Sequence, residues 1–408
     1  MATLHPFKAL RPVRDKVHLV ATRPYYSYKK NVLKAKLEDN PFTLLHIINP
    51  EFNKPTTLPN SPERFQLVKA GYERFEREGI LVRDRERHVY LYRQTTPERS
   101  YTGIIAGADA EEYLSDQIKK HEATLTEREN VFTQYLDLVG LNAEPVLMSY
   151  QGNHLIDLLI ERVLRGRPEY EFTTTDLIKH ELWIIDTELS LELVQLFTKI
   201  EATYIADGHH RSASSVRLYE AYKARGISDK GRYFLAYFVK ETELQILAFQ
   251  RLVRTLNGLS PESFIAKIAA LGTCNELLEP RNPRENHEMV IYINEKWYSF
   301  RFDGSCIDKS HPTKGLDSDL LTHLILGPLL GIHDLKTSED IAFIPGNIPQ
   351  QKVIEQLKNQ HFSVAFFLYP ITMNEVKKVA DNGMYMPPKS TWVEPKLRSG
   401  LTIMDLHD

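Results

Sequence analysis

The chain has 408 residues, more than a single hydrophobic core usually serves, so two or three domains are expected. Its 42% hydrophobic and 26% charged content is that of a globular protein, not of a disordered one. Lysine plus arginine (51) nearly balance aspartate plus glutamate (54), for a net charge of -3, so no global basic field exists to gather nucleic acid. The two cysteines, Cys274 and Cys306, exclude a disulfide framework and a Cys-x-x-Cys zinc or redox centre, and two free thiols are expected. Met1 to Pro6 lead into Arg11, Arg14 and Lys16 without an apolar stretch, so no signal peptide is expected. No run approaches the roughly 20 apolar residues of a membrane span. The expected location is the cytoplasm.

In chain order, residues 17–21 and 42–48 read as buried strands. Ser61-Pro62 opens a helix that runs to about residue 78, where Gly79 stops it. Strands at 88–93 and 101–106 follow, then a long polar helix over 110–138 with a break near Leu125. A strand at 146–150, a helix at 154–164, a strand at 180–186, a helix at 191–200 and a strand at 202–206 come next. After a turn at 207–211, a helix extends to Arg225 and a strand spans 233–239. Strands alternating with helices indicate an α/β architecture. Residues 287–302 then read as a hairpin, 318–330 as helical, 362–368 as a buried strand and 374–381 as a short helix. The Pro387-Pro388 pair stiffens the segment 386–391 into an extended form. These elements group into three domains, 1–145, 146–258 and 259–408.

The chemistry concentrates at Asp207-Gly208-His209-His210-Arg211, where an apolar strand meets a helix. The first N–H groups of a helix lack intrahelical partners and sit at the positive end of its dipole, so an anion is stabilised there. Gly208 admits a close ligand, and His209, His210 and Arg211 add donors, of which Arg211 can take two phosphate oxygens at once. Asp207 can cap the helix, hold a magnesium ion or accept a hydroxyl proton. Two other readings are a plain helix cap with surface histidines, and a metal site, for which adjacent histidines on a turn are poorly aimed.

This turn resembles that of the ParB/sulfiredoxin-like superfamily, and within it the free serine kinases of the SerK type. The rest of the chain is similar to the uncharacterised bacterial family called domain of unknown function ten-fifteen. The segments that carry that likeness are Pro6 to Pro12, Lys120-His121-Glu122-Ala123-Thr124 with Arg128 one turn on, and Met386-Pro387-Pro388-Lys389-Ser390-Thr391 with Lys396, Gly400 and Leu401 beyond. The resemblance implies an α/β (α+β) fold with a ParB/sulfiredoxin-like phosphate-binding core at 146–258, flanked by mixed α/β domains. One departure stands out: Arg23-Pro24-Tyr25-Tyr26-Ser27 has no carboxylate where the family places an acidic residue after its Pro-Tyr pair.

Other residues enter more weakly. His121 and Glu122 lack the second histidine of a zinc-protease helix, since position 125 is Leu125; a solvated helix face is the plain reading. With the resemblance, Glu122 becomes a base for an attacking hydroxyl, and His121 and Arg128 its companions. Lys389, with Ser390 and Thr391, is placed to neutralise a phosphate or carboxylate, against the reading of a tail strapped to the surface. Arg11, Arg14 and Arg23 could line the pocket, and Tyr25, Tyr26 and Tyr28 could stack on a base, though solvated arginines and wall tyrosines are commoner. No Gly-x-x-x-x-Gly-Lys loop, Gly-x-Gly-x-x-Gly turn or Gly-x-Ser-x-Gly elbow occurs.

The expectation is therefore a phosphotransferase using magnesium with ATP or ADP, acting on a small hydroxylated metabolite, serine first. Asp207, Glu122 and His121 would be catalytic. Gly208, His209, His210, Arg211, Arg128, Lys389, Ser390, Thr391 and Arg11 would bind the nucleotide, and Asp207 the metal. The alternatives are a nucleotide-sensing switch without turnover and a phosphohydrolase. Its partners would be nucleotide and substrate, with a homo-oligomer open, and neither membrane nor nucleic acid. A sulfiredoxin-like reductase is disfavoured because the turn holds no cysteine.

Overall fold

The computed structural model describes residues 1–227 and 230–407, and the side chain of Tyr26 lies outside the described residues. The chain forms two compact units of mixed α/β structure. Unit 1 comprises residues 1–119, 124–244 and 395–408; unit 2 comprises 120–123 and 245–394.

Unit 1 contains, in chain order, strands β1 (Ala9–Pro12), β2 (Leu81–Arg83), β3 (Tyr90–Thr95), β4 (Ser100–Asp109), β5 (Ile118–Lys119) and β6 (Leu141–Asn142). They continue as β7 (Val146–Tyr150), β8 (Tyr170–Thr173), β9 (Lys179–Ile184), β10 (Thr203–Asp207), β11 (Tyr233–Lys240) and β12 (Ile403–Asp405). Its principal helices are α1 (Pro62–Arg77), α2 (Thr126–Val139), α3 (His154–Leu164), α4 (Thr187–Phe197) and α5 (His209–Ala224). Eight strands form one mixed sheet in the order β5-β10-β7-β11-β4-β3-β9-β8, with β5/β10 and β7/β11 parallel and the other neighbours antiparallel. A second sheet runs β2-β1-β12-β6, so the chain's end returns to its beginning.

Alternation decides what each sheet face meets. Val146, Met148 and Tyr150 of β7, Ile205 of β10, and Phe234, Ala236 and Phe238 of β11 join the main core. Helices α3, α4 and α5 cover this face through Ile156 and Leu159, Leu193 and Phe197, and Val216 and Tyr219. The small run Ser212-Ala213-Ser214-Ser215, all buried, seats α5 closely. The opposite face carries Tyr92, His180 and Tyr237, with Arg398 and Lys396 of the C-terminal segment bonded to residues on it.

Unit 2 holds an antiparallel six-stranded sheet built on the expected hairpin, Glu288–Ile293 and Lys296–Phe302, with Val364–Leu368 beside it. Asn294 and Glu295 turn the hairpin with positive φ.

Several expectations are corrected. Val17–Val20 and Leu45–Ile48 are short helices, not strands. Val17 and Val20 are both buried and three apart, the spacing of one helical face, which four apolar residues alone do not distinguish from a strand. The helix expected over 110–138 does break near Leu125, where α2 begins at Thr126, but its first part is helical only over Ala110–Leu114 and ends before Asp116, which has φ +60. Residues 120–125 between them are irregular, so His121 and Glu122 do not lie on a helix. Among the described residues no helix is long and apolar enough to cross a membrane.

Candidate functional site

The site begins with an irregularity in strand pairing. Ile205 pairs with Met148, yet Asp207 pairs with Leu147, so one residue, Ala206, is extra on β10. Paired residues share a sheet face, and a one-residue slip exchanges faces. Ile205 and Met148 point into the core, whereas Leu147 lines a cleft on the other side. The bulge therefore turns Asp207 out of the core and into the cleft.

Gly208 follows with φ +103, a conformation that disfavours a side chain, and caps α5 without a side-chain bond. The first ladder bond of the helix runs from the Ser212 N–H to the Gly208 carbonyl at 3.0 Å. The preceding N–H groups thus lie outside the ladder at the positive end of a 16-residue helix. Arg211 folds back over the turn. A Cβ on Gly208 would stand 2.9–3.1 Å from its guanidinium, so the glycine makes room for Arg211. Arg211 Nη1 donates to the Pro145 carbonyl at 2.6 Å and lies 3.9 Å from Glu144 Oε2.

Lys396 approaches from the C-terminal segment and donates to Asp207 Oδ2 at 2.8 Å. The Asp207 side chain keeps 36% of its exposure and Lys396 30%, so the pair is reachable from water. Burial acts to raise the Asp207 carboxyl, but Lys396, then Arg211 and His209, outweigh it and hold the pKa down at about 2. Asp207 is consequently ionised at any physiological pH.

The cleft encloses about 310 Å³, counting its open mouth. Pro24, Glu144, Pro145, Leu147, Asp207 and Arg211 line it together with residues 396–399. Ser399 is clamped by two backbone bonds to Thr22, at 2.8 and 3.2 Å, and its hydroxyl donates to Glu144 Oε1 at 2.9 Å. Arg398, buried, donates through Nε to His180 Nε2 at 3.0 Å and through Nη2 to Asp176 at 3.3 Å. A guanidinium can only donate, so His180 Nε2 accepts and Nδ1 carries the proton toward the Tyr92 hydroxyl at 2.6 Å. Burial first, then the Arg398 charge, push the His180 pKa down to about 3, which keeps the ring neutral.

Asp207 and Arg211 thus meet at this cleft, and Gly208 connects the strand to the helix between them. His209 is buried and His210 half-buried in the first turn of α5. Arg11 is committed elsewhere in unit 1, to Asp84 at 2.7 Å, the Tyr170 hydroxyl at 2.9 Å and Glu169 at 3.1 Å. Arg128 is exposed on α2. His121, Glu122, Lys389, Ser390 and Thr391 belong to unit 2. There the His121 carbonyl accepts the Met386 N–H at 2.8 Å. Lys389 has φ +59 and sits in a turn, not on an extended stem, with its ammonium 5.3 Å from the Phe249 ring. The Ser390 hydroxyl bonds Pro387 O at 2.7 Å and Ser318 Oγ at 2.9 Å. Among the described residues no three His, Cys, Asp or Glu side chains gather as a metal cage. Sequence reasoning missed Glu144, Arg398 and Ser399 altogether and met Lys396 only as a residue trailing the Pro-Pro-Lys-Ser-Thr motif.

No curated protein sequence matches the chain. Solved structures of similar shape include a free serine kinase in complex with AMP, at 11% identity and a TM-score of 0.37, covering 75% of this chain and 91% of that one. A C-terminally truncated SbnI from Staphylococcus aureus gives 12% identity and a TM-score of 0.39, covering 74% of this chain and 87% of the other. A conserved hypothetical protein from Pyrococcus furiosus gives 11% and 0.36, covering 74% and 95%. Likeness at this level carries no argument about activity. The family model described as "Protein of unknown function (DUF1015)" matches residues 4–319, a span that contains both β10 and the turn, and the chain belongs to that family.

Proposed function

We propose that the chain is a nucleotide-dependent phosphotransferase whose acceptor is a small hydroxylated metabolite. One observation carries this reading: an ionised Asp207, the cations Lys396 and Arg211, and the positive end of α5 converge on one water-accessible cleft. A phosphate group entering there competes with Asp207 for Lys396 and gains the amide dipoles of α5 as well. Lys396 then serves as a cation exchanged between carboxylate and phosphate. Asp207, released from it, fits the single carboxylate that a magnesium ion commonly takes alongside nucleotide phosphates. Phosphoryl transfer asks mainly for positioning and charge neutralisation, which a site of donors and cations supplies. The superfamily resemblance of the turn supports ATP or ADP as donor and serine as the first acceptor to try.

The test is incubation of the full chain with magnesium, ATP or ADP and a panel of hydroxylated amino acids, followed by phosphorus NMR and mass spectrometry. A new phosphomonoester is expected. Free phosphate alone would replace the kinase reading by a hydrolase, and tight nucleotide binding without turnover would replace it by a switch.

A further inference from the structure

The proposed transfer needs a carboxylate that faces the acceptor hydroxyl and is not neutralised by a direct cation. Asp207 is poorly suited, because Lys396 occupies it at 2.8 Å and, once phosphate draws Lys396 away, its proposed role is to hold magnesium. Glu144, in the same cleft, has a different environment. Its Oε1 accepts the Ser399 hydroxyl at 2.9 Å, whereas its Oε2 stands 3.9 Å from Arg211 Nη1, beyond hydrogen-bond reach. An ionised carboxylate offers roughly four acceptor sites, so Oε2 keeps capacity for an incoming O–H.

The backbone around Glu144 is fastened on both sides. The Ala143 carbonyl accepts the Gly400 N–H at 3.1 Å, and the Pro145 carbonyl accepts Arg211 Nη1 at 2.6 Å. Ser399 is itself clamped to Thr22 through both its N–H and its carbonyl. Among the described residues, Arg211 and Ser399 approach the Glu144 carboxylate, the buried phenols of Tyr72 and Tyr135 feel its charge, and Asp207, Lys396 and Arg398 share its cleft. Burial, with Glu144 contributing, raises both phenols, so they stay neutral. A base held this rigidly meets the geometric demand of proton transfer without an ordering cost at the moment of reaction.

We propose that Glu144 is the general base of the transfer and that Ser399 positions it, an inference that rests on the phosphotransferase reading above. Glu144 Oε2 takes the proton of the acceptor O–H as the acceptor oxygen forms its bond to the terminal phosphorus of a nucleoside di- or triphosphate. The bond from that phosphorus to its bridging oxygen breaks. The electron pair leaves with the nucleotide, now one phosphate shorter, whose new charge faces Lys396 and Arg211.

The experiment compares wild type, Glu144→Gln, Glu144→Asp and Ser399→Ala in phosphoester formation and in ADP affinity, each checked for a native melting transition. Glu144→Gln is expected to lower kcat by about 100-fold or more while the ADP Kd moves less than about threefold. The acid limb of the kcat–pH profile should vanish with it, and Glu144→Asp should restore part of the rate. Ser399→Ala is expected to lower kcat by about fivefold and displace that limb, which a merely structural role would leave in place. A Glu144→Gln enzyme with rate and pH profile close to wild type overturns the inference and leaves the phosphotransferase reading standing. A wild type that forms no phosphoester overturns both. Should Glu144→Gln fail to fold, Glu144→Asp and Ser399→Ala decide: unchanged pH profiles in both overturn the proposal.

Discussion

Lys396 donates to Asp207 at 2.8 Å although 189 residues separate them in the chain. Removing the cation by Lys396→Met leaves a recessed carboxylate with only the weaker influence of Arg211 and His209. The expected result is an ADP affinity at least tenfold lower by calorimetry, with Lys396→Arg retaining most of it. The pair also has an acid signature. A carboxyl held near 2 adds stability above its ordinary value near 4 and loses it as pH falls between them, so Lys396→Met should flatten that part of the acid denaturation curve. Unchanged ADP binding would remove Lys396 from the site.

Gly208→Ala tests the turn itself. A Cβ there meets the Arg211 guanidinium at 2.9–3.1 Å in a backbone with φ +103. The expected cost is about 1–3 kcal/mol in urea unfolding, together with weaker nucleotide binding as Arg211 is displaced from Pro145. Full stability in the alanine variant would show that the turn relaxes.

His180 should make the protein acid-sensitive above the range of its carboxylates. Its folded pKa of about 3 lies below the ordinary 6.5, so the unfolded chain binds the extra proton first as pH falls. Stability is therefore full above about 6.5 and declines toward 3, by at most about 1.4 kcal/mol per pH unit. Glutamine at this position accepts from Arg398 without titrating. The difference between wild type and His180→Gln stabilities should be constant above about 6.5 and move steadily against wild type as pH falls below it; parallel curves would contradict the neutral-ring assignment.

Arg251 in unit 2 is 1% exposed, donates to the carbonyls of Phe249 and Lys389, and makes no ion pair among the described residues. Burial pushes its pKa down to about 9, against the partial support of Asp317. Arg251→Met relieves that burial but leaves two carbonyls without these donors. A net loss of about 1–3 kcal/mol is expected in thermal or urea unfolding. A stabilised variant would show that the charge is the larger liability.

Much of the fold was legible in the sequence because period and punctuation are local signals. The hairpin at 287–302 follows from alternation around Asn294-Glu295, and α1 from Ser61-Pro62, where the serine side chain does accept the Arg64 N–H. The failures share a cause. Residues 17–20 and 45–48 are too short for their apolar spacing to separate helix from strand. The segment 110–138 is interrupted at Asp116, whose left-handed backbone leaves no reliable mark in the sequence.

At the cleft the division is sharper. Composition excluded a disulfide scaffold and a global basic field, and the strand–turn–helix pattern located Asp207, Gly208 and Arg211 where a helix dipole begins. Those are properties of adjacent residues, so the order of side chains suffices to determine them. The bulge at Ala206, which decides that Asp207 faces the cleft and not the core, depends on how β10 registers against β7. The pairing of Lys396 with Asp207, the seat of Glu144 beside Ser399 and the diversion of Arg11 to Asp84 likewise join residues remote in the chain. Only tertiary structure settled these, because which charges become neighbours is set by strand register and by the return of the C-terminal segment.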